Sequence, residues 1–186
     1  MLWLWILLAA AALLLIFGVL GYNRLVRLRN EVDTGWANID VQLQRRADLI
    51  PNLVEAVRAY AAHERAVFEE VTRARAALQG AQTPGAAADA NEGLSGALGR
   101  LFAVAEAYPE LRASENFLEL QEDLTDTEDK ISAARRYYNA TVNRFNTGVQ
   151  SIPWVLIAKP LGFNAREFFS ALGDTAPPDV SFAPAP

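Results

Sequence analysis

The stretch that most restricts this chain is LWLWILLAAAALLLIFGVLGY, residues 2–22, which holds no charged side chain. At a rise of ~1.5 Å per residue it forms ~31 Å of helix, about one bilayer hydrocarbon thickness. Such a run serves either as an uncleaved anchor or as a cleaved signal peptide. A signal peptide needs a basic segment before the run and a small-x-small cleavage site after it. No Lys or Arg precedes the run, and Gly18-Val19-Leu20 matches the site poorly. The expectation is therefore a transmembrane anchor over residues 1–22, in contact with the lipid bilayer. Arg24, Arg27 and Arg29 follow directly. By the positive-inside rule these membrane-flanking residues place residues 23–186 in the cytoplasm, with Trp3 and Trp5 at the opposite interface.

The remainder reads as folded. Hydrophobic residues make up 52% and charged residues 21% of the chain, against a disordered composition. The absence of Cys removes disulfides, thiolate zinc sites and Cys nucleophiles together, and leaves the compartment open. A net charge of −5 argues against a nucleic-acid partner. Residues 23–79 carry nine Lys/Arg against eight Asp/Glu, and residues 80–150 six against eleven. A near-neutral arm and an acidic arm can pair without repulsion.

Read in sevens, residues 22–78 give two seam rows. One is Tyr22, Arg29, Trp36, Leu43, Ile50, Val57, Glu64, Val71 and Leu78; the other is Leu25, Val32, Ile39, Arg46, Leu53, Tyr60, Val67 and Ala74. Pro51 interrupts neither row. Two readings follow: a kinked but continuous helix, or a tight turn between antiparallel helices. Residues 80–93, small and Gly/Pro-bearing, read as a loop, followed by a short helix over 94–108. Ser114 is an N-cap candidate for a long helix over 114–150, where Phe117, Leu124, Ile131, Tyr138 and Phe145 recur every seven residues. The fold class is all-α: an anchor, then an elongated antiparallel helical bundle over 23–150. Residues 151–175 form an aromatic segment with Trp154, Leu156, Phe163 and Phe168. It reads as a cap on the bundle, or as an insertion into a membrane interface or neighbouring subunit. Residues 176–186 read as a disordered tail.

Chemistry is sparse. The single His, His63, rules out a two-His zinc site or a paired Glu-x-x-His di-iron site within one chain, and reads as a surface residue. No nucleophile elbow, Walker loop or dinucleotide fingerprint occurs. Glu122, Asp126 and Asp129 share a helical face, where a solvated surface is the simpler reading than a cation site. The seam charges Arg46 and Glu64 would snorkel outward or pair with the opposite arm. No catalytic, cofactor-binding or metal residue is assigned, and no cofactor is expected.

The segments YNRLVRLRNEVDTGWANIDVQLQRRADLIPNLVEAVRAYAAHE, ENFLELQEDLTDTEDKISAARRYYNATVNRFNT and LGFNAREFF resemble the LemA family over roughly residues 1–172. The resemblance implies a bacterial protein with one N-terminal membrane helix, a very short outer N-terminus and a helical bundle. It supplies no active residues. Some relatives are linked to bacterial membrane-organelle formation. The family bundle is described with four helices, which favours the turn at Pro51. The expected function is a non-enzymatic, single-pass scaffold of the bacterial inner membrane that self-associates or organises other membrane proteins. The alternatives are an adaptor for a membrane protease or signalling complex, or a hydrolase or metal enzyme. The first arm outruns the last helix, so an uncovered seam at Leu25, Val32, Trp36 and Ile39 is expected to form a homo-oligomer contact.

Overall fold

The computed structural model describes residues 1–170. It contains α1 (Leu2–Arg58), α2 (Arg65–Gly80), α3 (Pro84–Ala105), α4 (Pro109–Arg112), α5 (Glu115–Gln150) and a 3₁₀ turn at Trp154–Leu156. The chain is all-α, with no strand among the described residues. The expected disordered segment 176–186 lies outside them.

The apolar run and the first bundle helix are one element. α1 runs unbroken for 57 residues, about 86 Å, with Pro51 inside it. The continuous reading at Pro51 therefore holds, and the turn lies elsewhere. α1 stops at Arg58, and residues 59–64 reverse the chain without a Gly or a Pro. Ala61 is buried in that reversal and its N–H donates to Val57 O. The uninterrupted arm expected to residue 79 is thus two helices, α1 and α2. Tyr60 and Glu64 fall out of the seam for that reason, and both are exposed.

Pro51 has a local consequence. It lacks the N–H that would serve the carbonyl of Ala47, four residues earlier. Ala47 is buried, and its carbonyl instead accepts from Arg75 Nε of α2 at 2.8 Å. The proline turns a helix-internal acceptor into a docking point for the next helix. Arg75→Ala should cost about 1–3 kcal/mol by leaving that carbonyl unpaired. In a Pro51→Ala background the restored N–H can serve Ala47, so the same truncation should cost less. A double-mutant cycle by denaturant unfolding measures the difference, and additive effects would refute the link.

The expected loop at 80–93 is also corrected. Thr83 Oγ1 accepts from Ala86 N at 3.2 Å and Pro84 opens α3, so the helix starts there rather than at residue 94. Ala87 and Ala88 are buried: the small residues pack rather than loop. Ser114 caps α5 by accepting from Phe117 N.

Cross-pairs give the layout. Arg46 of α1 meets Glu128 of α5, Arg144 meets Glu31, and Gly148 faces Leu25 and Leu28, so α5 runs antiparallel to α1. Arg75 beside Ala47 and Arg100 paired with Glu70 return the chain through α2 and α3. Four helices surround one core containing Ile39, Leu53, Val57, Val71, Leu94, Leu101 and Phe145. α5, about 54 Å long, continues beyond the α2–α3 hairpin toward the apolar run. Below the hairpin, α1 and α5 form a two-helix stalk. Their backbones close up at Gly35, where a Cβ would lie 3.4 Å from Tyr138 Cα. The seam polar residues Thr127 and Thr141 donate to carbonyls of their own helix, which makes them tolerable inside.

Candidate membrane-proximal interface

Past Gln150 the chain turns and climbs back along the stalk. Trp154 stacks on Phe17 of α1, with ring centroids 5.2 Å apart and an interplanar angle of 18°. Its indole lies across Gly21, where any Cβ would collide with the ring. Phe163 is buried, meets Tyr22 edge-on and lies 5.5 Å beneath the Arg29 guanidinium. Arg166 pairs with Asp33 at 2.8 Å, and Phe169 is buried near Trp36. The segment thus replaces α2 and α3 as the third layer of the stalk.

Two asparagines of α5 hold the returning backbone. Asn146 Nδ2 donates to Arg166 O at 2.9 Å while its Oδ1 accepts from Arg166 N at 2.7 Å. Asn139 does the same for Phe169, at 3.1 and 2.9 Å. Each amide acts as a strand partner would, offering one donor and one acceptor to a backbone outside any helix. Tyr138 donates to Glu167 O at 2.8 Å, and burial pushes its phenol up to about 12.

The expected cap therefore divides. Phe163 is inside and Trp154 is half-buried, whereas Leu156 is 75% exposed and Phe168 is also exposed. Among the flanking arginines, Arg24 and Arg27 are exposed and Arg29 is partly buried over Phe163.

The expected oligomer seam is corrected. Leu25, Val32 and Ile39 are each at most 2% exposed, buried in a core that α5 shares, and Trp36 is half-covered by Tyr138 and Phe169. The expected length mismatch vanishes because α1 ends at Arg58, so α5 lies along this seam and Phe169 of the return segment covers Trp36 from beside it. Arg46 does not snorkel. It is 5% exposed and reaches Glu128 at 2.8 Å, Ser95 at 2.9 Å and Asn91. His63 is exposed in the α1–α2 reversal. Of the acidic run, Asp123 and Asp126 face Arg45, and Lys130 holds the Asp126 carboxyl below the usual range. Among the described residues no three His, Cys, Asp or Glu side chains are placed to hold a metal.

A long helix with an apolar first third, a four-helix bundle and an aromatic return segment is the geometry to set beside known proteins. Residues 35–182 match the LemA family. The chain belongs to the LemA family. Among its relatives are magnetosome protein MamQ of Magnetospirillum gryphiswaldense, 28% identical over 182 positions, and MamQ 2 of Paramagnetospirillum magneticum, 29% identical over 182. Each alignment spans 83% of this chain and 67% of the relative. Protein LemA of Metamycoplasma hominis is 25% identical over 153 positions, spanning 80% of this chain and 68% of that protein. With one helix apolar and long enough to cross a bilayer, the chain is a membrane-associated helical LemA-family protein.

The clamping residues of this LemA-family chain escaped sequence reasoning. Asn139 and Asn146 sit seven apart, hence on one helix face, but an Asn pair on a helix has many uses. Asn91 lies in the segment read as a loop, and Ser95 just inside the short helix read over 94–108. The Thr83-Pro84 pair, a cap followed by a first-turn proline, was the signal that placed them on a helix.

Proposed function

We propose that this LemA-family protein is a single-pass scaffold of the bacterial inner membrane, whose cytoplasmic bundle organises membrane proteins or further copies of itself without catalysing a reaction. The observation that carries this reading is the continuity of α1. One helix leaves the apolar span and becomes a bundle wall, so the bundle is held rigidly to the anchor rather than on a linker. Stacking of Trp154 on Phe17 supports an uncleaved span, because residues of the apolar run are part of the folded packing. The polar side chains are spent on ion pairs between helices and on clamping the return segment, which fits a structural role. That two relatives are named magnetosome proteins supports a place in membrane organisation.

The three arginines after the span supply the orientation. A protease added outside intact spheroplasts should leave residues 23–186 undigested; digestion of the bundle would reverse the topology. The scaffold reading requires the full chain, gently solubilised from its native membrane, to migrate well above its monomer mass. A bare monomer under those conditions would remove the assembly part of the proposal. Since α5 and the return segment fill the α1 seam, copies would meet through other surfaces.

A further inference from the structure

The turn that joins α5 to the return segment has an unusual surface. Ile152 is 86% and Leu156 75% exposed, and Val155, Ile157 and Leu161 are exposed beside them. Five large apolar side chains within ten residues form an apolar patch that water alone covers poorly. Its position identifies the occupant. Trp154, in the middle of the turn, stacks on Phe17 and lies across Gly21. Phe17 precedes Arg24 by seven residues, about 10 Å of helical rise, so this ring is on the lipid side of the flanking arginines. Interfacial segments reach about 5–10 Å into the boundary between headgroups and acyl chains, the same depth.

We propose that residues 151–162 form a second membrane contact, a wedge that inserts Ile152, Leu156 and Leu161 into the leaflet on the bundle side of the anchor. The inference rests on the membrane reading above and goes beyond it, because the span alone would anchor the chain. Three independent features fit lipid as the occupant. Much of the wedge satisfies its own backbone: the N–H groups of Val155, Leu156, Ile157, Ala158, Leu161 and Gly162 donate within the segment, and Pro153 and Pro160 have none to satisfy. Each backbone group satisfied internally lowers the cost of entering a poorly hydrated layer. Lys159 is exposed on the wedge, and Arg24 and Arg27 are exposed just above it, as cations facing phosphate headgroups would be. Gly21 is the residue that lets the indole lie flush on the span, since a side chain there would push the wedge off α1. Anchored at two points, the bundle would hold one tilt to the membrane instead of swivelling about α1.

The chain has no Cys, so single reporter thiols are available without competition. Leu156→Cys and Ile152→Cys would each carry an environment-sensitive fluorophore in full-length protein, reconstituted into vesicles of mixed zwitterionic and anionic phospholipid. Leu8→Cys, within the span, and Val41→Cys, exposed on the bundle, are the references. With nitroxide-labelled lipid added, the probes at Leu156 and Ile152 should be quenched several-fold more than at Val41, and to a level approaching Leu8. If the Leu156 probe behaves like Val41 while Leu8 is quenched, the wedge is refuted and the anchor stands. A Leu156 probe shielded from water but unquenched by lipid, with disulfide-linked dimers forming at that position, would show a second copy covering the patch and would equally refute it. If Leu8 is unquenched too, the membrane reading itself fails.

Discussion

Truncating Arg46 to alanine should lower the stability of the bundle by about 3 kcal/mol, near the lower end of the range for breaking a buried ionic network. Arg46 sits where α1, α3 and α5 meet, with its guanidinium on Asn91, Ser95 and Glu128. Burial pulls its pKa down and the Glu128 carboxylate pulls it back up; a guanidinium so placed stays charged at neutral pH. Alanine would remove the packing of the stem and leave the Asn91 and Ser95 side chains facing a void. Glu128 is half-exposed and can be rehydrated, which is why the loss should stay at the low end. Arg46→Met keeps most of the stem volume and should lose about half as much, because replacing a buried ion by an apolar isostere is often tolerated. Thermal melts of the detergent-solubilised chain should show the alanine variant about 6–12 °C below the parent, on the usual scaling for a domain of this size. Equal losses in the two variants would mean that the polar contacts carry the whole effect and that the stem volume contributes nothing.

Phe163→Ala should release the return segment while leaving the four-helix bundle folded. Phe163 is 1% exposed, and truncating a buried phenylalanine costs about 3–5 kcal/mol. Here the loss falls on local opening, because the ring holds the segment to Tyr22 and Arg29 of the stalk rather than the bundle helices to one another. The readout is tryptic cleavage after Arg166. In the parent that residue is tied by its side chain to Asp33 and by its backbone to Asn146. An opening equilibrium shifted by 3 kcal/mol or more should raise the cleavage rate by about a hundredfold or more. Cleavage unchanged in Phe163→Ala would mean that the asparagine clamps alone hold the segment.

The same variant connects packing to the wedge. Trp154 and Phe163 flank the turn, one on the span and one on the stalk. Loosening either would remove one of the contacts that hold the exposed apolar residues against α1. The membrane contact and the third layer of the stalk are thus built from one continuous segment.

The sequence by itself determined the elements whose signal is local or periodic. The apolar run required no partner to be recognised, because its length is set by the bilayer. The heptad rows through Leu25, Val32, Ile39 and Leu53 announced an apolar seam, whereas a kinked helix and a turn both stayed open at Pro51. Phe117, Leu124, Ile131, Tyr138 and Phe145 marked α5 in the same way. Tertiary structure decided what covers each seam, because periodicity states that a face is apolar and not which surface lies against it. α1 met α5 of its own chain, and the return segment covered the length that α2 and α3 leave bare. The reversal at 59–64 was invisible because it uses no Gly or Pro: the rows continue through it, and only the docking of α2 shows that the chain has turned. Arg46 looked like a side chain that would reach for water, and its burial depends on Asn91 and Ser95 arriving from a helix whose first half is made of residues that suggest a loop. The wedge combines both kinds of information. Its apolar residues are plain in the sequence, but their depth depends on the indole of Trp154 lying across Gly21, a contact between residues 133 positions apart that no local pattern encodes.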